Sequence, residues 1–207
     1  MVTSRGAASS PGSSTMRRRG AVLEHAILDA ALDQLNAVGW NGLTMEGVAA
    51  GAQTGKAALY RRWPTKEELV ADALKHALPP LAPAPDLGSV RAELLQLGRQ
   101  MRDVMHSRPG GALRAVLHEC DVATVERFHR VITEDVVHPT VELIAEVVKR
   151  GIERGEVRPQ AANPLVYDVL PAMMMYRTKV RATEWTTQDL EELVDHLMVP
   201  LLLPSAD

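Results

Sequence analysis

Apolar residues recur at helical spacing along almost the whole chain, beginning at residue 23. In this first stripe the apolar side chains lie mostly three or four positions apart, and Gly39 follows directly after the last of them. That period places them on one face of an α-helix, and a glycine in this position is typical of a helix C-terminus. The members of the stripe are Leu23, Ile27, Ala30, Ala31, Leu35 and Val38.

Three shorter helical segments follow this glycine. Thr44 is a candidate N-cap for the first of them, and Thr65 with Glu68 three positions later forms a capping-box pattern for the last. The middle segment is predicted to span about residues 56–62, and the polar stretch 53–55 separates it from the first. Short helices joined by a tight turn and supported by a preceding helix predict a helix-turn-helix.

A proline-rich stretch, LPPLAPAPDLG, interrupts the helical pattern after this group. Prolines favour a stiff, extended backbone, so residues 79–88 are predicted to be a linker. Beyond it every strong period is helical again. Pro139 and Pro171 fall inside two of these segments and are expected to break or kink them, and the last helix is expected to begin near Thr186 or Thr187.

The pattern and the composition together predict an all-α protein of about nine helices in two domains. Hydrophobic residues make up 46% of the chain and aromatics only 3%, so the core must be packed with Leu, Val, Ala and Met. Residues 1–16 are mostly Ser, Gly, Ala and Pro and are expected to be a disordered arm. Residues 17–78 are predicted to form a three-helix helix-turn-helix domain, and residues 89–207 a larger helical domain.

Charge is divided unevenly between the two predicted domains. The net charge is −3, yet residues 1–78 carry nine Lys and Arg against seven Asp and Glu, while the remainder carries fourteen against nineteen. A positively charged N-terminal segment joined to an acidic remainder favours an acidic partner, such as nucleic acid, for the N-terminal segment.

Nothing in the sequence indicates a membrane protein or a secreted one. No apolar run has the length that spans a bilayer, and the first residues lack the apolar segment of a signal peptide. Cys120 is the only cysteine, so no intrachain disulfide can form, which suits a reducing compartment. A cytoplasmic protein with no membrane partner is therefore expected.

Residues 44–69, TMEGVAAGAQTGKAALYRRWPTKEEL, resemble the helix-turn-helix of TetR/AcrR-family transcriptional regulators. The turn, the aromatic positions and the lysine all fall in the register of that family's motif, T-x-x-x-[IV]-A-x-x-A-G-V-S-x-x-[TA]-[LI]-Y-x-x-[FW]-x-[ST]-K-x-x-L. With the preceding helix, the resemblance covers roughly residues 17–78. The matching positions are Thr44, Val48, Ala49, Ala52, Ala58, Leu59, Tyr60, Trp63, Thr65, Lys66 and Leu69.

This resemblance implies that the second helix of the motif enters a major groove with its first residues near base edges. A lysine at the start of the next helix is then placed to bind a phosphate. Arg17–Arg19 fit either a minor-groove arm or the charged start of the first helix. The residues expected to contact DNA are Thr44, Thr54, Lys56, Ala57, Tyr60, Arg61, Arg62 and Lys66.

The turn departs from the family pattern, because Gln53, Thr54 and Gly55 stand where Gly-Val-Ser is usual. The turn therefore loses its glycine at the left-handed position, and either Gly55 or Thr54 must cap the next helix.

The same resemblance implies that the C-terminal domain holds an inducer pocket and a dimer interface. Methionines cluster there, and methionine suits surfaces that adapt to varied apolar ligands, although core packing explains any single one equally well. The residues expected to contact a ligand are Met101, Met105, Leu117, Phe128, Ile132, Met173 and Tyr176.

The last two helices are expected to pair with those of a second copy as a four-helix bundle, since the leucine stripe of the last helix is otherwise hard to bury. The expected function is a homodimeric repressor that a small apolar or amphipathic ligand releases from palindromic double-stranded operator DNA. No cofactor is expected. The expected interface residues are Tyr167, Met174, Leu190, Leu193, Val194, Leu197 and Leu201.

A second interpretation is a helical small-molecule-binding or metal-dependent enzyme with a vestigial DNA-binding head. Glu126 and His129 form one Glu-x-x-His pair, but di-iron bundles need two such pairs and two further glutamates. Residues 118–121 read His-Glu-Cys-Asp, yet four consecutive residues of a helix cannot all face one ion. No metal ligand or catalytic residue is therefore predicted.

Overall fold

The computed structural model describes residues 20–119, 128, 131–181 and 183–203, and every regular element within these ranges is helical. The all-α prediction is therefore confirmed. The predicted arm 1–16, Arg17–Arg19 and the Glu126–His129 pair lie outside the described residues. The helices are α1 (Ala21–Gly42), α2 (Met45–Gly51), α3 (Lys56–Tyr60), α4 (Lys66–Ala77), α5 (Val90–His106), α6 (Arg108–Glu119), α7 (His138–Glu153), α8 (Pro164–Lys179), α9 (Thr187–Leu193) and α10 (Val199–Leu202).

Two stretches of wider, π-helical turns join these helices. Residues Val131–Val137 lead into α7, and residues Val194–Met198 connect α9 to α10. The first ends next to Pro139, which confirms the predicted interruption at that proline, while Pro171 is accommodated inside α8. A short 3₁₀ turn, Pro159–Ala161, precedes α8. None of the helices in the described residues is both long and apolar enough to cross a bilayer.

The last turn of α1 is bent at Gly39, whose φ of 71° and ψ of −177° are not helical. A side chain is strained in this conformation, so the sequence needs glycine here. The predicted helix end at Gly39 is corrected, because the helix bends there and continues to Gly42. The bend directs Trp40 inward, where it is 4% exposed. Val38, the last member of the apolar stripe, is 52% exposed and lies beside Gly42 at the end of the helix.

The predicted helix caps of the helix-turn-helix are present. Thr44 Oγ1 accepts a hydrogen bond of 3.1 Å from Gly47 N at the start of α2, and Thr65 Oγ1 accepts one of 3.2 Å from Glu68 N at the start of α4. α3 is shorter than expected and ends at Tyr60. The proline of the Arg-Arg-Trp-Pro run disfavours helical backbone at Trp63, so the helix cannot continue past that residue.

Gln53 occupies the left-handed position of the turn between α2 and α3, with φ of 54°. Such a conformation costs a residue with a β-carbon roughly 1–2 kcal/mol. The backbone N–H of Thr54 still reaches Ala49 O at 2.9 Å, so the turn closes in the usual way. Gly55 is the N-cap of α3 and provides no side-chain hydrogen bond.

We expect Gln53→Gly to raise the free energy of unfolding by up to about 1 kcal/mol, because glycine relieves the left-handed strain while losing some entropy. Thermal denaturation followed by circular dichroism measures the change. Gln53→Ala is the matched control, since alanine keeps the β-carbon and with it the strain. Equal melting temperatures for the glycine and alanine variants would contradict this account.

The buried side chains form two cores, and the first includes residues from both sides of the proline-rich linker. This first core joins α1–α4, which we call the head, to α6 and Phe128. The Trp40 and Phe128 rings meet edge to face with their centroids 5.3 Å apart. The second core joins α5, α7, α8 and α9, which with α6 and α10 we call the body. α6 therefore belongs to the body in sequence but packs on the head.

Polar contacts fasten both ends of α6 to α1. At its start, Arg108 lies 2.7 Å from Asp33 and 3.0 Å from Asp29. At its end, Glu119 Oε2 accepts a hydrogen bond of 3.0 Å from Asn41 N. Between these ends, apolar side chains of α6 pack on the head, so α6 joins the head to the body.

The π-helical turn in the last helix corrects the predicted leucine stripe. One extra residue in that turn shifts the register, so Met198 and Leu202 take the buried places expected for Leu197 and Leu201. Leu197 is 37% exposed and Leu201 is half-buried. Four further side chains assigned to the partner are instead buried in the core of their own chain, and these are Met174, Leu190, Leu193 and Val194.

Candidate nucleic-acid interface

The exposed face of the helix-turn-helix is formed by α3 and the residue that follows it. Lys56 and Ala57 are exposed in the first turn of α3, and Tyr60 and Arg61 are exposed one turn later. Tyr60 leaves 46% of its surface open to solvent, which is high for an aromatic side chain. Because positions three or four apart share a side of a helix, the four side chains form one surface that fits a major groove.

Two of the predicted DNA-binding cations are paired with carboxylates on this surface. Lys56 Nζ lies 2.8 Å from Glu46 Oε1, and its hydrogen bond lowers the pKa of the Glu46 carboxyl. Arg62 forms an ion pair with Glu24 of α1. Such solvent-exposed pairs contribute little free energy, so a phosphate can replace the carboxylate at small cost.

Lys66 is held by the bent end of α1. Its Nζ donates a hydrogen bond of 3.1 Å to Trp40 O and lies 4.2 Å from the centre of the Trp40 ring. The ammonium therefore caps the last turn of α1, and the side chain is half-buried. A phosphate contact by Lys66 stays a prediction.

Thr44 and Thr54 lie at the edges of the same surface. The Thr44 hydroxyl caps α2, and its backbone N–H donates to Gln34 Oε1 at 2.9 Å. Thr54 is half-buried in the turn ahead of α3. Both are close to the chain segment that faces DNA in a helix-turn-helix, and their contacts with DNA also stay predictions.

Sequence reasoning missed Trp40 as the residue that joins the parts of this site. Trp40 contacts Lys66 on the head and Phe128 beyond the linker. The sequence did indicate this packing, because a large apolar residue directly after a C-terminal glycine often packs back on its helix.

The body contains an apolar cavity of about 70 Å³, which we call the apolar chamber. Four of the predicted ligand residues line it, namely Met101, Met105, Leu117 and Ile132. Met174, which the sequence assigned to the dimer interface, lines it as well.

Three predicted ligand residues lie elsewhere, which corrects their assignment to the chamber. Phe128 is fully buried against the head, beside Trp40. Met173 packs on the second core, and Tyr176 is 50% exposed on the outer surface of α8. Helical spacing alone could not separate these faces, because the π-helical turns of the body displace the packing partners.

A second cavity of about 180 Å³ adjoins the first, and we call it the polar chamber. Sequence reasoning did not identify it, since its polar residues come from α5, α6, α8 and a loop that are far apart in sequence. The two chambers share the side chains Met105, Arg114, His118 and Thr178.

An apolar stripe on α8 faces solvent, and we call it the α8 face. Leu165 is 76% exposed, Tyr176 is 50% exposed and Val180, just past the helix end, is 65% exposed. With Ala172 these positions are seven and four apart, so they lie on one side of the helix. Tyr167 points away from this stripe and is half-buried, and its burial raises the pKa of its hydroxyl.

Among the described residues, no three or more His, Cys, Asp or Glu side chains are grouped so that they could hold a metal ion. His118 lines the chambers, and Glu119 is bound to the end of α1. The remaining residues of the His-Glu-Cys-Asp run lie outside the described part of the chain.

Two family models match the chain. The description "Bacterial regulatory proteins, tetR family" covers residues 27–73, and "Tetracyclin repressor-like, C-terminal domain" covers residues 84–197. An uncharacterised HTH-type transcriptional regulator of Mycobacterium tuberculosis is 32% identical over 88% of this chain and 89% of its own length. The DNA-binding transcriptional repressor TetR of Mycobacteroides abscessus is 27% identical over 92% of this chain and all of its own length.

Solved structures agree with this assignment. The TetR family transcription regulator SCO0332 superposes with a TM-score of 0.61 at 25% identity, over 88% of this chain and 99% of its own. A TetR-like regulator from Rhodococcus sp. RHA1 has the same fold, with a TM-score of 0.60 at 23% identity over 88% of this chain and 96% of its own. The chain belongs to the TetR family of bacterial regulatory proteins and is a helix-turn-helix transcriptional regulator that binds DNA.

Proposed function

We propose that this regulator is a homodimeric repressor that leaves a palindromic operator when a small apolar or amphipathic molecule enters the apolar chamber. The observation that carries the proposal is the position of α6, which lines the chamber and is fastened to α1 at both ends. A ligand that displaces α6 therefore displaces the head. Coupling of about 1–3 kcal/mol is typical of such control between two sites.

Few contacts connect the apolar chamber to the DNA-binding surface of the head. Leu113 and Leu117 of α6 line the apolar chamber and also belong to the first core, where α6 packs on α1. The bent end of α1 then holds Lys66 at the start of α4 through Trp40. A shift of α6 thus reaches the helix-turn-helix through packed side chains rather than through a flexible loop.

A homodimer is the assembly that fits this function. Two-fold symmetry places two copies of α3 on successive major grooves, with half-sites about one helical turn apart or a small multiple of it. We assign the interface to the α8 face, which is apolar and exposed. The protein then acts in the cytoplasm, on double-stranded DNA, with no membrane partner.

A selection from genomic DNA tests the proposed function. Purified protein is mixed with fragmented DNA of its source organism at moderate salt, and the retained fragments are sequenced. We expect an enriched palindrome whose half-sites match the spacing of a dimer. Retention of DNA without any shared sequence would contradict a sequence-specific repressor, and would favour a non-specific binder.

The relatives do not support the alternative of a metal-dependent enzyme, because they are named as transcriptional regulators. A metal analysis of the purified protein keeps this alternative testable. A stoichiometric metal ion, lost in Glu126→Ala or His129→Ala while DNA binding is unchanged, would restore it.

Arg61→Ala is expected to weaken binding to all DNA sequences and to lower the salt dependence of binding by about one unit on a logarithmic plot. The reason is that Arg61 is exposed at the end of α3, and no ion pair engages it within the described ranges. Titration of operator DNA at several salt concentrations gives the slope.

Arg99→Ala is the matched control, because Arg99 is a partly exposed arginine of the body. Lys66→Ala belongs in the same series, and we expect it to lower the slope by a similar amount while also loosening the end of α1. An unchanged slope in Arg61→Ala would remove Arg61 from the interface, and an unchanged slope in Lys66→Ala would leave Lys66 with only its structural role.

A further inference from the structure

The two chambers of the body meet at one cation, Arg114 of α6. Its side chain lines both the apolar chamber and the polar chamber. The apolar chamber is lined mainly by methionine, leucine, isoleucine and valine side chains, whereas the lining of the polar chamber includes Arg102, His106 and Glu184. A molecule that fills both chambers therefore passes next to this guanidinium.

The Arg114 guanidinium has N–H donors left for a ligand. One Nη group donates to Met105 O, which anchors the guanidinium at the end of α5. A guanidinium has five N–H donors, so one anchored group leaves others for a ligand. No ion pair involves Arg114 in the ranges that the structure describes, whereas Arg102 of the same chamber is bound to Asp103 at 2.9 Å and to Thr187 at 2.9 Å.

Few acidic side chains surround Arg114 in the part of the chain that the structure describes. Glu184 is the one acidic side chain among the described residues that line either chamber, and it is exposed. Lys179 adds a second cation at the rim of the apolar chamber. A half-buried arginine with free donors and little opposing charge favours an anionic ligand group, and a carboxylate matches the planar fork of a guanidinium.

We propose that the inducer of this regulator is an amphipathic carboxylate, with its head at Arg114 and its apolar tail in the apolar chamber. This inference rests on the proposed function and narrows it from any small apolar or amphipathic molecule to one charge class. Because Arg114 belongs to α6, the head group acts directly on the helix that is fastened to α1.

The size of the apolar chamber limits the tail. Its volume of about 70 Å³ is smaller than the ~150 Å³ cavity that accepts benzene. A short acyl chain fits, and a longer one requires movement of Met101, Met105 or Met174. Methionine side chains allow some movement because their unbranched chains repack easily.

A homologous series tests the proposal: straight-chain carboxylates from butanoate to dodecanoate, each paired with the primary alcohol of equal length. Isothermal titration calorimetry gives the affinity ratio of carboxylate to alcohol for each pair. We expect wild type to prefer the carboxylate by about tenfold or more, the ratio that charge-assisted hydrogen bonds produce. Arg114→Gln should bring this ratio close to one, and Arg114→Lys should retain part of it.

Arg99→Gln is the matched control and should keep the wild-type ratio, because Arg99 lines neither chamber. The ratio within one variant cancels any general loss of stability. Equal affinity for carboxylate and alcohol in wild type, an unchanged ratio in Arg114→Gln, or no binding in either series below about 1 mM would each overturn the proposal.

The proposed function is tested separately, by measuring whether the same ligands release operator DNA. If carboxylates bind with the expected ratio but never release the operator, the ligand site stands and the repressor mechanism fails. If the operator is released by alcohols and carboxylates alike, the repressor mechanism stands and the assignment of charge class fails.

Discussion

Glu93→Gln is expected to lower the free energy of unfolding by about 2–3 kcal/mol, because it neutralises a fully buried carboxylate that holds two arginines. Arg150 donates to Glu93 Oε2 through Nη2 at 2.6 Å and through Nε at 3.0 Å. Arg154 lies 3.0 Å from Oε1 but not in hydrogen-bonding geometry, so it contributes mainly through charge. Glutamine keeps the volume and removes the charge.

The expected loss in free energy of unfolding depends on how far the two arginines are exposed to solvent. Loss of one member of a buried ion pair typically costs about 3–5 kcal/mol. Arg150 and Arg154 keep 26% and 24% of their side-chain surface in solvent, so water partly compensates them and the lower figure is expected. For a chain of this size that loss corresponds to a melting temperature roughly 5–10 °C lower.

The ion-pair cluster around Glu93 also connects the linker to the body, so its loss should affect residues outside α5. Arg150 also donates to Ala84 O at 3.2 Å, and Arg154 lies 3.2 Å from Asp86. Both contacts fix the linker residues that enter α5. Hydrogen exchange in residues 81–88 should therefore rise together with the fall in melting temperature.

Glu191→Gln is the matched control for this substitution. The Glu191 side chain is 46% exposed and lies 3.9 Å from Arg99, so the same chemical change should alter stability by no more than about 0.5 kcal/mol. Equal melting temperatures for Glu93→Gln and wild type would show that the buried cluster adds little to stability.

The helix-turn-helix could be predicted from sequence because its signals are local. Thr44 and Thr65 cap their helices as predicted, and Gly39 adopts the backbone that only glycine adopts readily. Each of these features depends on residues within four positions of one another. The family resemblance adds the function of the surface that they support.

The body could be predicted less well, because its faces depend on long-range packing. A π-helical turn moves the buried position from Leu197 to Met198, and no short-range signal in the sequence indicates that turn. Phe128 belongs to the core of the head, although it lies far beyond the linker. The polar chamber needs residues from α5, α6, α8 and the 183–185 loop, which only the fold brings together.

The correction of the leucine stripe changes how the dimer should be tested. Removal of the chain from Thr186 onward would delete Leu190, Val194 and Met198, which are all fully buried, and would leave the second core that they fill open to solvent. The body would then unfold rather than separate into two copies. A charge on the exposed α8 face avoids this, because it leaves the core of each copy intact.

Leu165→Glu is therefore expected to convert the dimer to monomers and to lower operator affinity by at least about 100-fold. Leu165 is 76% exposed, so the substitution should change the stability of the single chain by no more than about 0.5 kcal/mol. In a two-fold interface each substitution occurs twice, and two buried, unpaired carboxylates cost several kcal/mol. A monomer then engages one half-site and loses the gain from linking two recognition helices.

Sedimentation velocity over a range of concentrations and titration of the operator measure the two effects on the same samples. Leu87→Glu is the matched control, since Leu87 is a 49% exposed linker residue outside the α8 face. Tyr176→Glu, eleven positions along the same face, should reproduce the effect of Leu165→Glu. If both variants sediment as wild-type dimers, the two copies do not meet through α8, and the spacing of the recognition helices must be set by another surface of the body.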